Sequence, residues 1–418
     1  MKVGFVTFGC RLNRAETLDL ETHYAAAGWE IVPVKLSPSP TDPHVPTPDR
    51  IIVRGCSVTA KAQRDCEKAI AHLRARFPLT DIRIIGCLPT AEAEQTLSAD
   101  DTSSSHPPST PVPITDAFSR AYLKVQDGCS GKCAYCIVPT FRGAPVSVPF
   151  NDVMARARAF LDAGYRELVV TGCNLCLYCD AGRGLPELIG ALAALKSPGH
   201  RVRLGSIEPG LCDTRLLDAL ETHPNICRFL HLSLQSGSNR ILRLMRRPYT
   251  MEHMAAFCTD ARRRLGPRLA LGADIITGFP GETDTDFAAT KDFLASSPHP
   301  FLHLHVFPYS ERPGTEAATM RPVVPVAVRR ARAREIERIG AANRAAYAQA
   351  LIGKEVMVCV EKDGNGRTDG YLRCILNGSA PRRSLVRAEV KEYFPKTGTL
   401  SATICAKNAK EGYSHDNT

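Results

Sequence analysis

Hydrophobic and polar positions follow two rhythms along this chain, a short strand-like run and a longer helical one, and the two take turns. Over residues 1–97 the strand-like runs are Lys2 to Phe8, Arg50 to Val53 and Asp81 to Ile85, with helical patterns over Arg14 to Ala27 and Ala60 to Phe77. That order predicts an open, mostly parallel α/β sheet. From 118 to 350 the alternation resumes. Candidate strands are Ala121 to Val125, Glu167 to Thr171, Arg201 to Gly205, Phe229 to Ser233, Leu269 to Ile276 and Leu302 to Phe307. Six parallel strands with crossover helices predict a partial (β/α)6 barrel, whose chemistry sits at the C-terminal strand ends. Residues 351–412 change character: Val356 to Glu361, Tyr371 to Leu376, Leu385 to Val390 and Thr399 to Cys405 read as short strands between Gly, Asn and Pro turns. A small β-barrel of the type that often carries RNA is expected there, or a structural capping domain. Residues 98–117 are Ser- and Pro-rich and read as a linker, Pro38 to Pro48 as a loop, and 413–418 as a tail.

Composition bounds this picture. A chain of 418 residues is too long for one ordinary core, and 44% hydrophobic with 23% charged residues is normal for a soluble globular protein. No apolar run is long enough to span a bilayer, and the N-terminus lacks the pattern of a signal peptide, so a cytoplasmic protein with no membrane partner is expected. In a reducing compartment, sixteen cysteines point to metal ligation and buried thiols rather than disulfides. The net charge of +10 suggests an anionic partner. Arg329, Arg330, Arg332, Arg334 and Arg338 lie in a helical stretch from Val326 to Ala350 and spread around more than one face, with Glu335 and Glu337 as partial offsets. A solvated helix and a phosphate-facing one both fit.

The cysteines sharpen the chemistry. Cys129, Cys133 and Cys136 form C-x3-C-x2-C after a strand. Three soft ligands so close can hold three corners of a cubane iron–sulfur cluster and leave one iron open. Cys10, Cys56 and Cys87 each follow a glycine at the end of an N-terminal strand. Strand ends are where ligand sites form in open α/β sheets, and glycine permits close backbone approach. Cys66 falls mid-helix and reads as a buried structural thiol. Cys173, Cys176 and Cys179 form C-x2-C-x2-C after the second barrel strand. Their spacing fits an extra cluster, a sulfur relay or alternative ligation during repair; three tolerated substitutions in a cysteine-rich chain are the favoured reading. His223, His231, His303 and His305 show no ligand spacing, and Asp274 and Glu282 read as core or rim acids without an assigned role.

Over nearly its whole length the chain resembles the radical S-adenosylmethionine (SAM) methylthiotransferases. The resemblance rests on Phe8-Gly9-Cys10-Arg11-Leu12-Asn13 with Glu16, Gly55-Cys56-Ser57-Val58-Thr59, Gly86-Cys87, and Gln126-Asp127-Gly128-Cys129 through Arg142-Gly143. The tail resembles the RNA-binding TRAM domain. Within the class, Thr171-Gly172-Cys173-Asn174-Leu175, Gly205-Ser206-Ile207-Glu208-Pro209, His231 to Ser238 and His305 to Ser310 favour the subfamily that acts on N6-threonylcarbamoyladenosine in tRNA. The subfamilies acting on isopentenyladenosine in tRNA or on a ribosomal-protein aspartate are the alternatives, with a non-catalytic iron–sulfur RNA-binding protein a distant one. The resemblance implies two [4Fe–4S] clusters: one on Cys129, Cys133 and Cys136 that binds SAM, and an auxiliary one on Cys10, Cys56 and Cys87. It implies radical methylthiolation of C2 of the modified adenine near the anticodon, and an electron donor such as flavodoxin or ferredoxin. It assigns no side-chain acid or base. Gly164 and Glu167 stand where the family contacts SAM, and Ser206, Glu208, Gln235 and Ser236 are further expected contacts to SAM or the base. The cysteines at 173, 176 and 179 depart from the family pattern.

Overall fold

The fold comes from a computed structural model describing residues 1–36, 47–87, 119–197, 199–212, 214–295 and 300–405. The expected linker, most of the Pro38–Pro48 loop and the tail lie outside the described residues.

Strands β1 (Lys2–Thr7), β2 (Glu30–Val32), β3 (Arg50–Cys56) and β4 (Asp81–Cys87) form a parallel sheet in the order β2-β1-β3-β4. β2 is too short and polar at its start to stand out in the sequence. Helix α1 (Arg11–Ala26) covers one face and α2 (Ala60–Arg76) the other, where Cys66, Ile70 and Leu73 pack on Val6, Ile51, Val53 and Ile84. α1 is buried on two sides: Leu20 and Tyr24 face the N-terminal sheet, while Ala15 packs on Tyr122 and Val169 of the central barrel. This sandwiched helix sets the N-terminal sheet against the barrel.

The barrel is built from β5 (Ala121–Asp127), the two-residue β6 (Val146–Ser147), β7 (Glu167–Gly172), a small hairpin of β8 (Cys179–Asp180) and β9 (Arg183–Gly184), β10 (Arg201–Leu204), β11 (Ser206–Ile207), β12 (Phe229–Gln235), β13 (Ala270–Thr277) and β14 (Phe301–Pro308). Two four-stranded sheets, β10-β7-β5-β6 and β11-β12-β13-β14, meet at Gly205, whose N–H donates to Val170 O at 2.8 Å. The strand alternation divides inside from outside. Leu230, Leu232, Leu234, Leu271, Ala273 and Ile275 point out into the main core under the helices. Their neighbours, among them Phe229, His231 and Asp274, point into the lumen.

A closed five-stranded barrel, β15-β16-β17-β19-β18, follows: β15 (Glu355–Val360), β16 (Asn365–Thr368), β17 (Arg373–Asn377), β18 (Leu385–Phe394) and β19 (Thr399–Ile404). β16, with the sequence Asn-Gly-Arg-Thr, is the strand that periodicity does not reveal. This unit docks at the N-terminal ends of the central strands. Arg201 donates to Met357 O (2.9 Å) and Arg367 O (2.7 Å), and Arg203 to Asp369 O and Thr368 O (both 2.8 Å).

The helix Val326–Gln349 divides its arginines. Arg329 and Arg332 are buried: Arg332 pairs with Glu282 and Asp284, and Arg329 donates to Tyr309 O and Val324 O. Arg330, Arg334 and Arg338 are exposed. Glu282 is thereby a structural acid, and two of the five arginines are internal braces. Among the described residues no helix is long and apolar enough to cross a membrane.

Candidate active site

Two sets of three cysteines stand at strand ends, on either side of one charge network. The first lies in the loop after β5. Gly128 holds a left-handed conformation (φ +67°), and a Cβ there would sit 2.0 Å from Ala144 O, so only glycine lets the loop turn. Cys129 N–H donates to Gly143 O at 3.0 Å, and Gly131 N–H to Cys129 Sγ at 3.3 Å. A Cβ on Gly131 would lie 3.2 Å from Cys129 Sγ and 3.7 Å from Cys133 Sγ, so both sulfurs face one spot. Burial pushes the Cys136 thiol up to about 11, and Cys133 and Cys129 push the same way. A thiol held this way keeps its proton until a cation displaces it.

Arg247 donates to Cys133 Sγ (3.1 Å) and to Ser233 O (3.1 Å), and it is ion-paired with Glu208. Glu208 Oε1 and Arg247 Nε are nonetheless buried without a partner in the protein. An unsatisfied acceptor and donor beside the cysteine loop fit a polar, zwitterionic ligand such as SAM. No spacing in the sequence marked Arg247, because it reaches the loop from a different strand connection.

The second set is Cys10, Cys56 and Cys87. β3 and β4 pair Cys56 with Cys87 directly, and Gly9 (φ +91°) brings Cys10 beside them: a Cβ on Gly9 would lie 2.9 Å from Cys56 Sγ. Burial raises Cys56 to about 11, with Cys10 and Cys87 adding to it. Ser57 Oγ, next in the chain, is buried without a partner. Three soft donors that converge on one pocket suit an iron–sulfur cluster. Cys66 sits beneath them as a structural thiol, accepting from Cys56 N at 3.4 Å.

Arg142 joins the two sets. Its Nε donates to Cys87 Sγ (3.1 Å), one terminal nitrogen to Glu16 and Asp127 (both 2.9 Å), and the other to Asn13 Oδ1 (3.1 Å). Lys124 bridges Glu16 and Asp127 at 2.7 and 2.6 Å, and Arg54 reaches Glu16 at 2.6 Å. Burial alone would raise the Glu16 pKa; the Arg142 hydrogen bond and the charges of Arg54 and Lys124 outweigh it and hold the carboxyl at about 2.

The remaining expected contacts separate. Ser206, Glu208, Gln235 and Ser236 stand at the C-terminal rim, with Gln235 in a left-handed conformation (φ +63°) unusual for a side chain of its size. Gly164 and Glu167 do not reach the rim. Gly164 turns into β7 at the opposite end, and Glu167, fully buried, is ion-paired with Arg201 (2.5 Å), Arg203 (2.7 Å) and Arg120 (3.6 Å). Glu167 is therefore a brace for the small barrel rather than a contact for SAM.

Cys173, Cys176 and Cys179 do not converge either. Cys173 donates to Asp127 Oδ1 (3.3 Å), Cys176 lies 3.6 Å from Cys212 Sγ, and Cys179 is exposed on β8. Replacing all three by serine is expected to leave the iron content per chain at that of the unmodified protein. A loss of about four irons would restore the third-cluster reading.

Residues 123–294 match the radical SAM superfamily, and residues 2–105 match uncharacterized protein family UPF0004. The chain is 33% identical over 342 residues to the threonylcarbamoyladenosine tRNA methylthiotransferase MtaB of Chlamydia pneumoniae, covering 77% of each chain. It is 28% identical to the MtaB of Aquifex aeolicus (93% of this chain, 99% of that one), and 31% identical to a tRNA-2-methylthio-N(6)-dimethylallyladenosine synthase of Cereibacter sphaeroides (87% and 88%). In fold it resembles the radical SAM methyltransferase TsrM of Kitasatospora setae, with a TM-score of 0.55 at 15% identity, covering 76% of this chain and 77% of that one. A C-x3-C-x2-C loop on a (β/α) barrel, an N-terminal sheet with its own cysteines and relatives of this kind lead to one conclusion: the chain is an enzyme of the radical SAM methylthiotransferase family.

Proposed function

We propose that the enzyme methylthiolates C2 of N6-threonylcarbamoyladenosine in tRNA, near the anticodon, using two [4Fe–4S] clusters. Cys129, Cys133 and Cys136 would hold the cluster that binds SAM, and Cys10, Cys56 and Cys87 the auxiliary one. The SAM-bound cluster supplies a one-electron route to an aromatic C–H bond that acid–base chemistry cannot break. The chain supplies position. Arg247 fixes Cys133 and orients Glu208; Ser206, Gln235 and Ser236 offer polar groups at the rim. Arg142 sets the distance between the two cysteine loops. The exposed arginines Arg330, Arg334 and Arg338 and the small barrel offer surface for a polyanion. Reducing equivalents would come from a flavodoxin or ferredoxin.

The observation that carries this reading is the convergence of two three-cysteine sets on the two sides of Arg142. The threonylcarbamoyl substrate is favoured by the relatives named for it, and the dimethylallyl substrate is the second reading because a relative of similar identity carries that name. Mass spectrometry of tRNA nucleosides from cells lacking the protein separates them. Loss of 2-methylthio-N6-threonylcarbamoyladenosine, restored by re-expression, is expected. Loss of the methylthio group from the isopentenyl nucleoside instead would move the enzyme to the other subfamily.

A further inference from the structure

The barrel lumen holds a constellation that the chemistry above does not use. Three adjacent strands each turn a ligand-type side chain inward: His231 on β12, Asp274 on β13 and His305 on β14. Asp274 and His305 are direct register partners. His231 Nε2 lies 3.0 Å from Asp274 Oδ1, His305 Nδ1 lies 3.2 Å from the same oxygen, and all three donor atoms fall within 4.8 Å of one another. We propose that His231, Asp274 and His305 form a divalent-cation site, distinct from both cysteine sets, that takes a borderline metal of the zinc or ferrous type.

Donor chemistry comes first. Two imidazoles and one carboxylate are the set that zinc and non-haem ferrous iron accept, and three protein donors leave coordination open for a further oxygen or nitrogen ligand. The spacing agrees. Donors bound at about 2.0–2.2 Å to one ion, at tetrahedral or octahedral angles, stand roughly 3 to 3.5 Å apart. The two contacts to Asp274 fall in that window.

The site is also built in advance. Gly272 makes room for the His231 ring, since a Cβ there would lie 2.5 Å from His231 Nδ1. Phe229 packs on the His231 ring at 6.1 Å between centroids, and the His305 ring lies 4.6 Å away. Yet the pocket opens to solvent: the His305 side chain is 53% exposed and Asp274 21%, so an ion and a further ligand have a route in. The Arg11 guanidinium, which lies over the Tyr371 ring, is close enough to act on His231 by its charge and opposes a cation there.

The competing arrangement is a hydrogen-bonded triad in which Asp274 accepts from both imidazoles and no metal enters. Zinc uptake by the anaerobically prepared, cluster-loaded enzyme distinguishes them. The enzyme is equilibrated with chelator-buffered Zn²⁺, desalted, and its zinc and iron are counted per chain. About one zinc is expected with iron unchanged, and zinc should raise the thermal midpoint. His305→Ala and Asp274→Asn should each weaken zinc binding at least about tenfold and abolish the zinc-dependent shift, while iron content stays native. His253→Ala, on an exposed helix face, should bind as the parent does. Zinc bound equally by the parent and His305→Ala, or by neither, overturns the site. Either result leaves the methylthiotransferase reading standing, because no cysteine is altered and the readout is metal, not turnover.

Discussion

Replacing Glu167 by alanine is expected to lower unfolding free energy by about 3–5 kcal/mol and to loosen the small barrel from the central one, while SAM affinity changes little. The reason is the burial of its partners. Arg201 and Arg203 are fully buried, and Glu167 is the carboxylate that meets both, at 2.5 and 2.7 Å. Alanine would leave two guanidinium groups in the interior without the carboxylate that balances their charge. Both also donate to the backbone carbonyls of Met357, Arg367, Thr368 and Asp369, so the strain passes to the docking surface. Glu167→Gln keeps the shape and part of the hydrogen bonding but not the charge, and should fall between. Denaturant midpoints report the stability, and SAM titration of the cluster-loaded enzyme reports the binding. A large loss of SAM affinity at native stability would return Glu167 to the cofactor.

Arg142→Ala should uncouple the two halves of the reaction. Methylthiolated product is expected to fall about 100-fold or more, while 5′-deoxyadenosine release falls far less. Arg142 touches Cys87 on one side and Asp127, at the base of the Cys129 loop, on the other. Losing it shifts one cysteine loop against the other, and a displacement of about 1 Å between reacting groups costs on the order of 100-fold. Arg142→Lys keeps a charge but not the fork that spans Glu16, Asp127 and Asn13, so little rescue should follow. Equal loss of product and 5′-deoxyadenosine would mean that Arg142 serves the SAM loop alone.

The same network sets an acid limit. Glu16 has its pKa depressed from 4.5 to about 2, so its contribution is full above pH 4.5 and is lost as pH falls from there toward 2. The parent should therefore lose stability over that window more steeply than Glu16→Gln, which carries no such group.

Most of the architecture was legible in the pattern of the chain. The six barrel strands, the three N-terminal strands before Gly9, Gly55 and Gly86, and a β-rich C-terminal unit all follow from periodicity, because each buries one face or both. β2 and β16 were not, since three or four residues with polar members carry no period and form only where a neighbouring strand offers partners. The six candidate cluster cysteines were equally legible, as a local spacing in one set and a repeated Gly-Cys at strand ends in the other.

What the sequence by itself determined are the features written in local order: strand and helix alternation, the C-x3-C-x2-C loop, and glycines at turns that no side chain would allow. Tertiary structure alone decided which distant side chains meet. It sent Glu167 to a buried ion cluster rather than to the rim, parted Cys173, Cys176 and Cys179, and gave Cys176 a partner in Cys212. It also brought Arg247 to Cys133, Arg142 to Cys87, and His231, Asp274 and His305 to one point in the lumen. The physical reason is the closure of the barrel. Curling a parallel sheet turns every second residue of separate strands toward one axis, so contacts there depend on register and curvature, which no spacing along the chain records.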